Sequence, residues 1–210
     1  MSLSLAALQG SLLDVGDDIS VGPPATRRLG LSHGAWVDVA PGWVRGADAL
    51  YRELARDVPW REERRQMYDR VVDVPRLLCF FGEGEPLPHP ALVAARSALD
   101  AHYAVELGER FTTAGLCLYR DGRDSVAWHG DDTGRSATAD TMIAILSVGQ
   151  ARTLALRPRG GRVAHRLSLG HGDLAVMGGS CQRTWEHAVL KTARPAGPRI
   201  SIQFRPRGVR

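Results

Sequence analysis

The segment Arg199-Ile200-Ser201-Ile202-Gln203-Phe204-Arg205 alternates polar and apolar residues without a break, and Pro206 ends it. A period of two is the signature of a β-strand, whose successive side chains point to opposite faces. Arg199, Ser201, Gln203 and Arg205 then share one face, and Ile200, Ile202 and Phe204 share the other. Such a strand makes sense where its polar face lines a cavity and its apolar face packs on an outer layer. Taken alone, the pattern also describes a solvated edge strand protected by its arginines. The turn Pro195-Ala196-Gly197-Pro198 favours the cavity, because it brings this strand back beside His187.

The same character extends upstream to Phe111. β-like runs cover Ala114–Tyr119, Ser125–His129, Thr141–Ser147, Thr153–Arg157, Arg162–Leu167, Asp173–Met177, His187–Lys191 and Arg199–Arg205. Turn signals separate them, among them Asp121-Gly122, Gly160-Gly161, Gly170 and Gly178-Gly179. This spacing predicts a β-sandwich or barrel, closed as a double-sheet jelly roll. Before Phe111 the period lengthens. Ala49, Leu50, Leu54 and Ala55 predict an amphipathic helix within Gly46 to Asp57. Pro90, a good first-turn residue, opens a second helix running to about Val105. The first 40 residues, rich in Gly, Asp and Pro, read as irregular structure with short strands. The expected fold is therefore mainly β with flanking helices, in one domain over 1–210. Residues 1–110 form an extension, a lid and the helices, and 111–210 form the β core.

Composition narrows the class. Hydrophobic residues make up 44% and charged residues 24% of the 210 residues, as in soluble globular domains. No apolar run approaches the roughly 20 residues that span a bilayer. The stretch Met1 to Gly10 lacks the basic start of a signal peptide, so a cytoplasmic protein is expected. Cys79, Cys117 and Cys181 are scattered and odd in number, which excludes a disulfide framework or a structural zinc site and predicts buried free thiols. Charge is uneven. Ala151 to Arg210 holds 12 Lys/Arg against 2 Asp/Glu, whereas the first 150 residues are net acidic. A basic surface facing an anionic partner is one reading, and an arginine-rich background composition is the other.

The chemistry starts at Trp128-His129-Gly130-Asp131-Asp132. On a strand, His129 and Asp131 point the same way and can converge on one ion. His187, 56 residues beyond Asp131, is the best third ligand. Two histidines and one carboxylate, with three positions open, form the facial triad of non-haem Fe(II) oxygenases, where a bidentate co-substrate and O2 bind. The remaining histidines have no such neighbourhood. The arginine strand complements the triad, since guanidinium groups grip carboxylates bidentately. One arginine would anchor the distal carboxylate of a keto dicarboxylic acid such as 2-oxoglutarate. The second would support a metal ligand or the other carboxylate.

From Val74 to Arg205 the chain resembles the AlkB family of nucleic-acid demethylases. The resemblance rests on Val74-Pro75-Arg76, on Tyr119-Arg120-Asp121-Gly122 with Asp124, Trp128, His129, Asp131 and Asp132, on Met177-Gly178-Gly179 leading to Trp185 and His187, and on the paired Arg199 and Arg205. It implies a double-stranded β-helix that holds Fe(II), consumes 2-oxoglutarate and O2, and oxidises an N-methyl group on a damaged base. Formaldehyde, succinate and CO2 are the implied products. Tyr119 matches a tyrosine that hydrogen-bonds 2-oxoglutarate. Cys117 and Ser201 stand where the family usually has Asn around the co-substrate. Thr133, beside Asp132, stands where an acidic residue often helps select the base. Tyr68 matches an aromatic wedge that fills the gap left by a flipped base. Arg61, Arg64, Arg65, Arg70 and Arg76 around it would suit phosphates. The implied partner is alkylated DNA, with RNA as the alternative nucleic acid, bound by a monomer.

Overall fold

The computed structural model describes residues 18–67 and 70–209. From the N-terminus come β1 (Ser20–Val21), β2 (Arg27–Gly30), a 3-10 turn (Ser32–Gly34), β3 (Ala35–Ala40) and β4 (Val44–Arg45). Helix α1 (Ala47–Asp57), the hairpin of β5 (Arg64–Met67) and β6 (Arg70–Asp73), β7 (Leu77–Phe81) and helix α2 (Pro90–Leu107) follow. The β core then runs through β8 (Phe111–Tyr119), β9 (Val126–His129), β10 (Ile143–Gly149), β11 (Arg152–Pro158), β12 (His165–Leu169) and β13 (Asp173–Gly179). A helical turn α3 (Cys181–Thr184), β14 (Trp185–Val189) and β15 (Arg199–Pro206) complete it. All eight runs read from the sequence are strands, and both anticipated helices form.

Seven strands build a large antiparallel sheet in the order β2-β3-β13-β10-β15-β8-β7. Four build a small one in the order β12-β11-β14-β9. From β8 onward the chain alternates between them, crossing at every step except the β11–β12 hairpin. That path is a double-stranded β-helix, in which two sheets share one inner face.

Alternation along the strands produces two apolar layers. On β10, Ala144, Leu146 and Val148 face outward, while Ile143 and Ile145 face the space between the sheets. The outward layer joins Ile200, Ile202 and Phe204 of β15 to Leu50 and Leu54 of α1 and to Leu92, Leu99 and Tyr103 of α2. Each of these is at least 98% buried, and full burial of such a side chain contributes about 1.5–3 kcal/mol. This is why β15 reads as it does: its apolar face is covered by helices, so its polar face must look inward. The ends of α2 are chemically set. His89 Nδ1 accepts the Ala91 N–H at 3.0 Å, Pro90 fills the first turn, and Gly108 closes the helix at φ 70°.

The structure departs from the sequence reading in three places. β3 is a buried six-residue member of the large sheet, paired along its length with β13, and so more regular than the short strands expected in an irregular N-terminal region. Gly178 and Gly179 belong to β13 instead of a turn. The Trp36 ring of β3 lies on Gly178 so closely that a Cβ there would sit 2.1 Å from it, so glycine marks a close approach. Among the cysteines, only Cys181 is fully buried, while Cys79 and Cys117 are free but half-buried.

Candidate active site

The inner faces of the two sheets meet in a small cavity of about 60 Å3, lined by residues that include Tyr119, His129, Asp131, His187, Arg199, Ser201, Gln203 and Arg205. His187 on β14 pairs directly across from His129 on β9, so the two imidazoles stand side by side with ring centroids 4.3 Å apart. Asp131 joins them, with Oδ2 3.7 Å from His187 Nε2. One ligand atom from each of the three lies within 4.8 Å of the others.

Asp131 does not converge by strand alternation. β9 ends at His129, and Gly130 and Asp131 lie beyond it. The chain turns inward there because Gly130 carries no side chain; a Cβ would sit 2.3 Å from the Gln182 carbonyl oxygen of α3. The Asp131 backbone is then held at both ends. Its N–H donates to Gln182 Oε1 at 3.1 Å, and its carbonyl accepts from Ser136 Oγ.

The three groups are prepared for a cation. His129 Nδ1 lies 2.8 Å from the Ala127 carbonyl, an acceptor only, so Nδ1 carries the proton and the Nε2 lone pair is free. Burial, with His129 alongside, pushes His187 down to about 3, so its ring is neutral. Burial opposes ionisation of Asp131, yet the charge of Arg205 and its hydrogen bond hold it below the usual carboxylate range. Asp131 Oδ2 is buried without a hydrogen-bond partner. A buried carboxylate oxygen left bare beside two imidazole lone pairs suits a metal ion.

The anion side of the cavity lies on β15 and β8. Arg199 is 1% exposed, and Nε donates to Ser147 Oγ at 2.8 Å while Nη1 has no partner. No carboxylate pairs with it among the described residues. Burial draws the guanidinium down from its ordinary value, opposed by the neighbouring Tyr119. Tyr119, directly across in the register, has its phenol pushed up to about 12 by burial and is a proton donor at neutral pH. Ser201 faces Cys117 across the same strand pair, and Gln203 ties them: its Nε2 donates to Ser201 Oγ at 2.6 Å and its Oε1 accepts from Cys117 Sγ at 3.6 Å. Arg205 Nη2 donates to Asp131 Oδ1 at 3.1 Å. The turn after Tyr119 is clamped by Arg152, whose guanidinium donates to the carbonyls of Asp121, Asp124 and Leu190.

Asp132, Thr133 and Arg76, read as contacts for the substrate, are not among the residues that line the cavity. Asp132 is half-buried and paired with Arg159 at 2.6 Å, and Thr133 is exposed. Arg76 is partly buried and donates to the Ser125 carbonyl at 3.0 Å, which ties it to the start of β9. Tyr68 lies outside the described residues. The sequence reading missed Ser147, Gln182 and Arg152. Only Ser147 had a legible signal, as a polar residue on the inward face of a strand otherwise apolar.

Residues 82–205 match the family model for the 2OG-Fe(II) oxygenase superfamily. Alpha-ketoglutarate-dependent dioxygenase alkB homolog 3 of Bos taurus and that of Homo sapiens are each 32% identical over 91% of this chain and 72% of their own length. The chain belongs to the AlkB family of 2OG-Fe(II) oxygenases. DNA oxidative demethylase ALKBH2 of Arabidopsis thaliana is 26% identical over 93% of this chain and 74% of its own. The structure of OsALKBH1 shares the fold, with a TM-score of 0.57 at 12% identity over 86% of this chain and all of that one. As an AlkB-family dioxygenase, the chain uses Fe(II), 2-oxoglutarate and O2, with His129, Asp131 and His187 as the facial triad. Among the described residues, no helix is long and apolar enough to cross a membrane.

Proposed function

We propose that this AlkB-family enzyme is an oxidative demethylase of alkylated bases in nucleic acid, with DNA favoured over RNA. The observation that carries the reading is the similarity along nine-tenths of the chain to alkB homolog 3 and to the Arabidopsis thaliana protein named DNA oxidative demethylase ALKBH2, joined to an intact triad. Bound iron would supply the dioxygen chemistry that inserts one oxygen into an N-methyl C–H bond while 2-oxoglutarate is oxidised to succinate and CO2. The N-hydroxymethyl group then breaks its N–C bond: the bonding pair returns to the base nitrogen, the hydroxyl proton is lost to solvent and formaldehyde is released.

The chain's own residues position the reactants. Arg199 anchors the distal carboxylate of 2-oxoglutarate, because a buried guanidinium without a counter-ion is costly until an anion arrives. The Tyr119 O–H donates to the same co-substrate. Ser201, with Cys117 and Gln203, forms the polar floor between the arginines. Arg205 keeps Asp131 ionised and oriented. Val126, Ile143, Ile145 and Leu154 line the remaining wall and exclude water. His129, the least buried ligand, marks the side from which a base enters. Arg76, Asp132, Thr133 and Tyr68 are the proposed contacts for the base and its strand. Residues 111–210 act as the catalytic core of one domain, and 1–110 as its extension.

The test is turnover of oligonucleotides carrying 1-methyladenine or 3-methylcytosine, single- and double-stranded, by iron-loaded protein. Formaldehyde should appear only with both Fe(II) and 2-oxoglutarate, and Asp131→Ala should abolish it. Intact methylated bases after exhaustive incubation would sink the nucleic-acid reading. If methylated DNA also fails to stimulate 2-oxoglutarate consumption, the substrate is a protein or small molecule.

A further inference from the structure

We infer that Gln182 is a positioning residue for the metal site, setting the direction of the Asp131 carboxylate through the Asp131 backbone. Gln182 lies on α3, in a segment of the chain distant from Asp131, and is 1% exposed. Its Oε1 accepts the Asp131 N–H at 3.1 Å. Its Nε2 is buried and has no partner. A buried amide that served only to fill space would be replaced at no loss by an apolar side chain. This one leaves a donor unpaired in order to meet a single demand, the N–H of a metal ligand.

That demand arises from the local backbone. Asp131 lies past the end of β9, so no strand ladder satisfies its N–H or fixes its φ and ψ. Ser136 Oγ takes the Asp131 carbonyl, Gln182 takes the N–H, and Arg205 takes Oδ1. With backbone and one carboxylate oxygen fixed, Oδ2 is left aimed at the two imidazoles. Support of this kind around a ligand tunes metal affinity as strongly as many direct contacts do.

Gln182 is itself held from the far end of the chain. Ser180 Oγ donates to the His33 carbonyl at 2.6 Å, and Trp185 Nε1 donates to the Ser32 carbonyl at 3.2 Å. The 3-10 turn at Ser32–Gly34 thus grips α3 on both sides of Gln182. His33 adopts a left-handed backbone, φ 63°, to present that carbonyl. The N-terminal extension is thereby connected to the metal site: turn to α3, α3 to Gln182, Gln182 to Asp131.

Gln182→Met keeps the volume and removes the acceptor, while Gln182→Glu keeps an acceptor oxygen. Each is titrated with Co(II) in the absence of 2-oxoglutarate and substrate, reading affinity and the visible d–d bands, with the melting temperature of the metal-free protein alongside. Gln182→Met should lose about 10- to 100-fold in affinity and shift the bands, while melting within a few degrees of the parent. Gln182→Glu should stay within about threefold of the parent. Unchanged affinity and spectrum in Gln182→Met overturn the assignment. So does equal impairment of both variants, and so does a Gln182→Met protein that fails to fold, which would make Gln182 a core residue. Because no substrate is present, a failed demethylase reading leaves this test intact.

Discussion

Arg205 Nη2 donates to Asp131 Oδ1 at 3.1 Å, so the second arginine of the strand supports a metal ligand directly. The sequence left two roles open for it, ligand support or a second carboxylate grip, and the geometry supplies the first. Its influence should therefore appear before any co-substrate binds. Arg205→Met is expected to lower Fe(II) or Co(II) affinity by about 10- to 100-fold without 2-oxoglutarate present. Arg205→Lys should recover part of this, since it keeps the charge but not the fork. Metal titration of the co-substrate-free protein reads the effect; parental affinity in Arg205→Met would show that the bond does not matter to the ligand.

Arg199 should behave in the opposite manner. It is fully enclosed, bonded to Ser147 and unpaired with any carboxylate among the described residues. Arg199→Met is expected to weaken 2-oxoglutarate binding by about 2–5 kcal/mol while leaving metal binding alone. The metal-free, co-substrate-free variant should melt no lower than the parent, because replacing a buried uncompensated charge with an apolar side chain is often stabilising. Thermal-shift curves with and without 2-oxoglutarate measure both halves. A variant that keeps its 2-oxoglutarate-dependent shift would remove Arg199 from the clamp.

The division of labour between these two arginines shows how far the sequence could be read. Strand period alone put Arg199 and Arg205 on one face, and the helices covering Ile200, Ile202 and Phe204 explain why that face looks inward. The eight core strands were legible for the same reason: each has one face buried between the sheets and one under helices or solvent, so alternation or apolar runs survive in sequence. β3 was not legible, because Ala35-Trp36-Val37-Asp38-Val39-Ala40 is buried on both faces and sits among glycines and prolines. Asp131 was placed correctly as a ligand but for the wrong local reason, since its orientation comes from α3 and Ser136. Tertiary contacts of that kind leave no period to detect.

Gly178 tests the close approach that replaced a predicted turn. A methyl group there would meet the Trp36 ring at 2.1 Å, and both residues are locked in paired strands. Gly178→Ala is expected to cost about 1–3 kcal/mol by forcing the ring or the strand aside. Trp36→Leu in the same protein should recover part of that loss, since a smaller side chain opens the space. Urea unfolding of the two single variants and the double variant measures the coupling, and strict additivity would mean that the contact is not the cause.

Asp124 connects acid stability to the co-substrate wall. Its carboxylate accepts the Arg120 N–H at 2.8 Å and the Arg120 side chain through Nε at 2.8 Å and Nη2 at 3.0 Å. Burial opposes its ionisation, but these bonds outweigh burial and hold Asp124 below the usual carboxylate range. A carboxylate with a depressed folded value contributes stability that is fully present above its unfolded value, about 3.9, and is lost as the pH falls through the folded value. Asp124→Asn keeps the shape and removes the charge. At pH 7 it should cost about 1–3 kcal/mol, the range for a buried charged partner removed from its donors. The gap between parent and variant should stay flat down to about pH 5 and narrow steadily below pH 4. The turn it closes begins at Tyr119, so the same variant should also raise the KM for 2-oxoglutarate more than it lowers kcat. Denaturant unfolding across pH 3–7 checks the stability claim; a gap that does not narrow in acid would mean that the Asp124 charge contributes nothing to the fold.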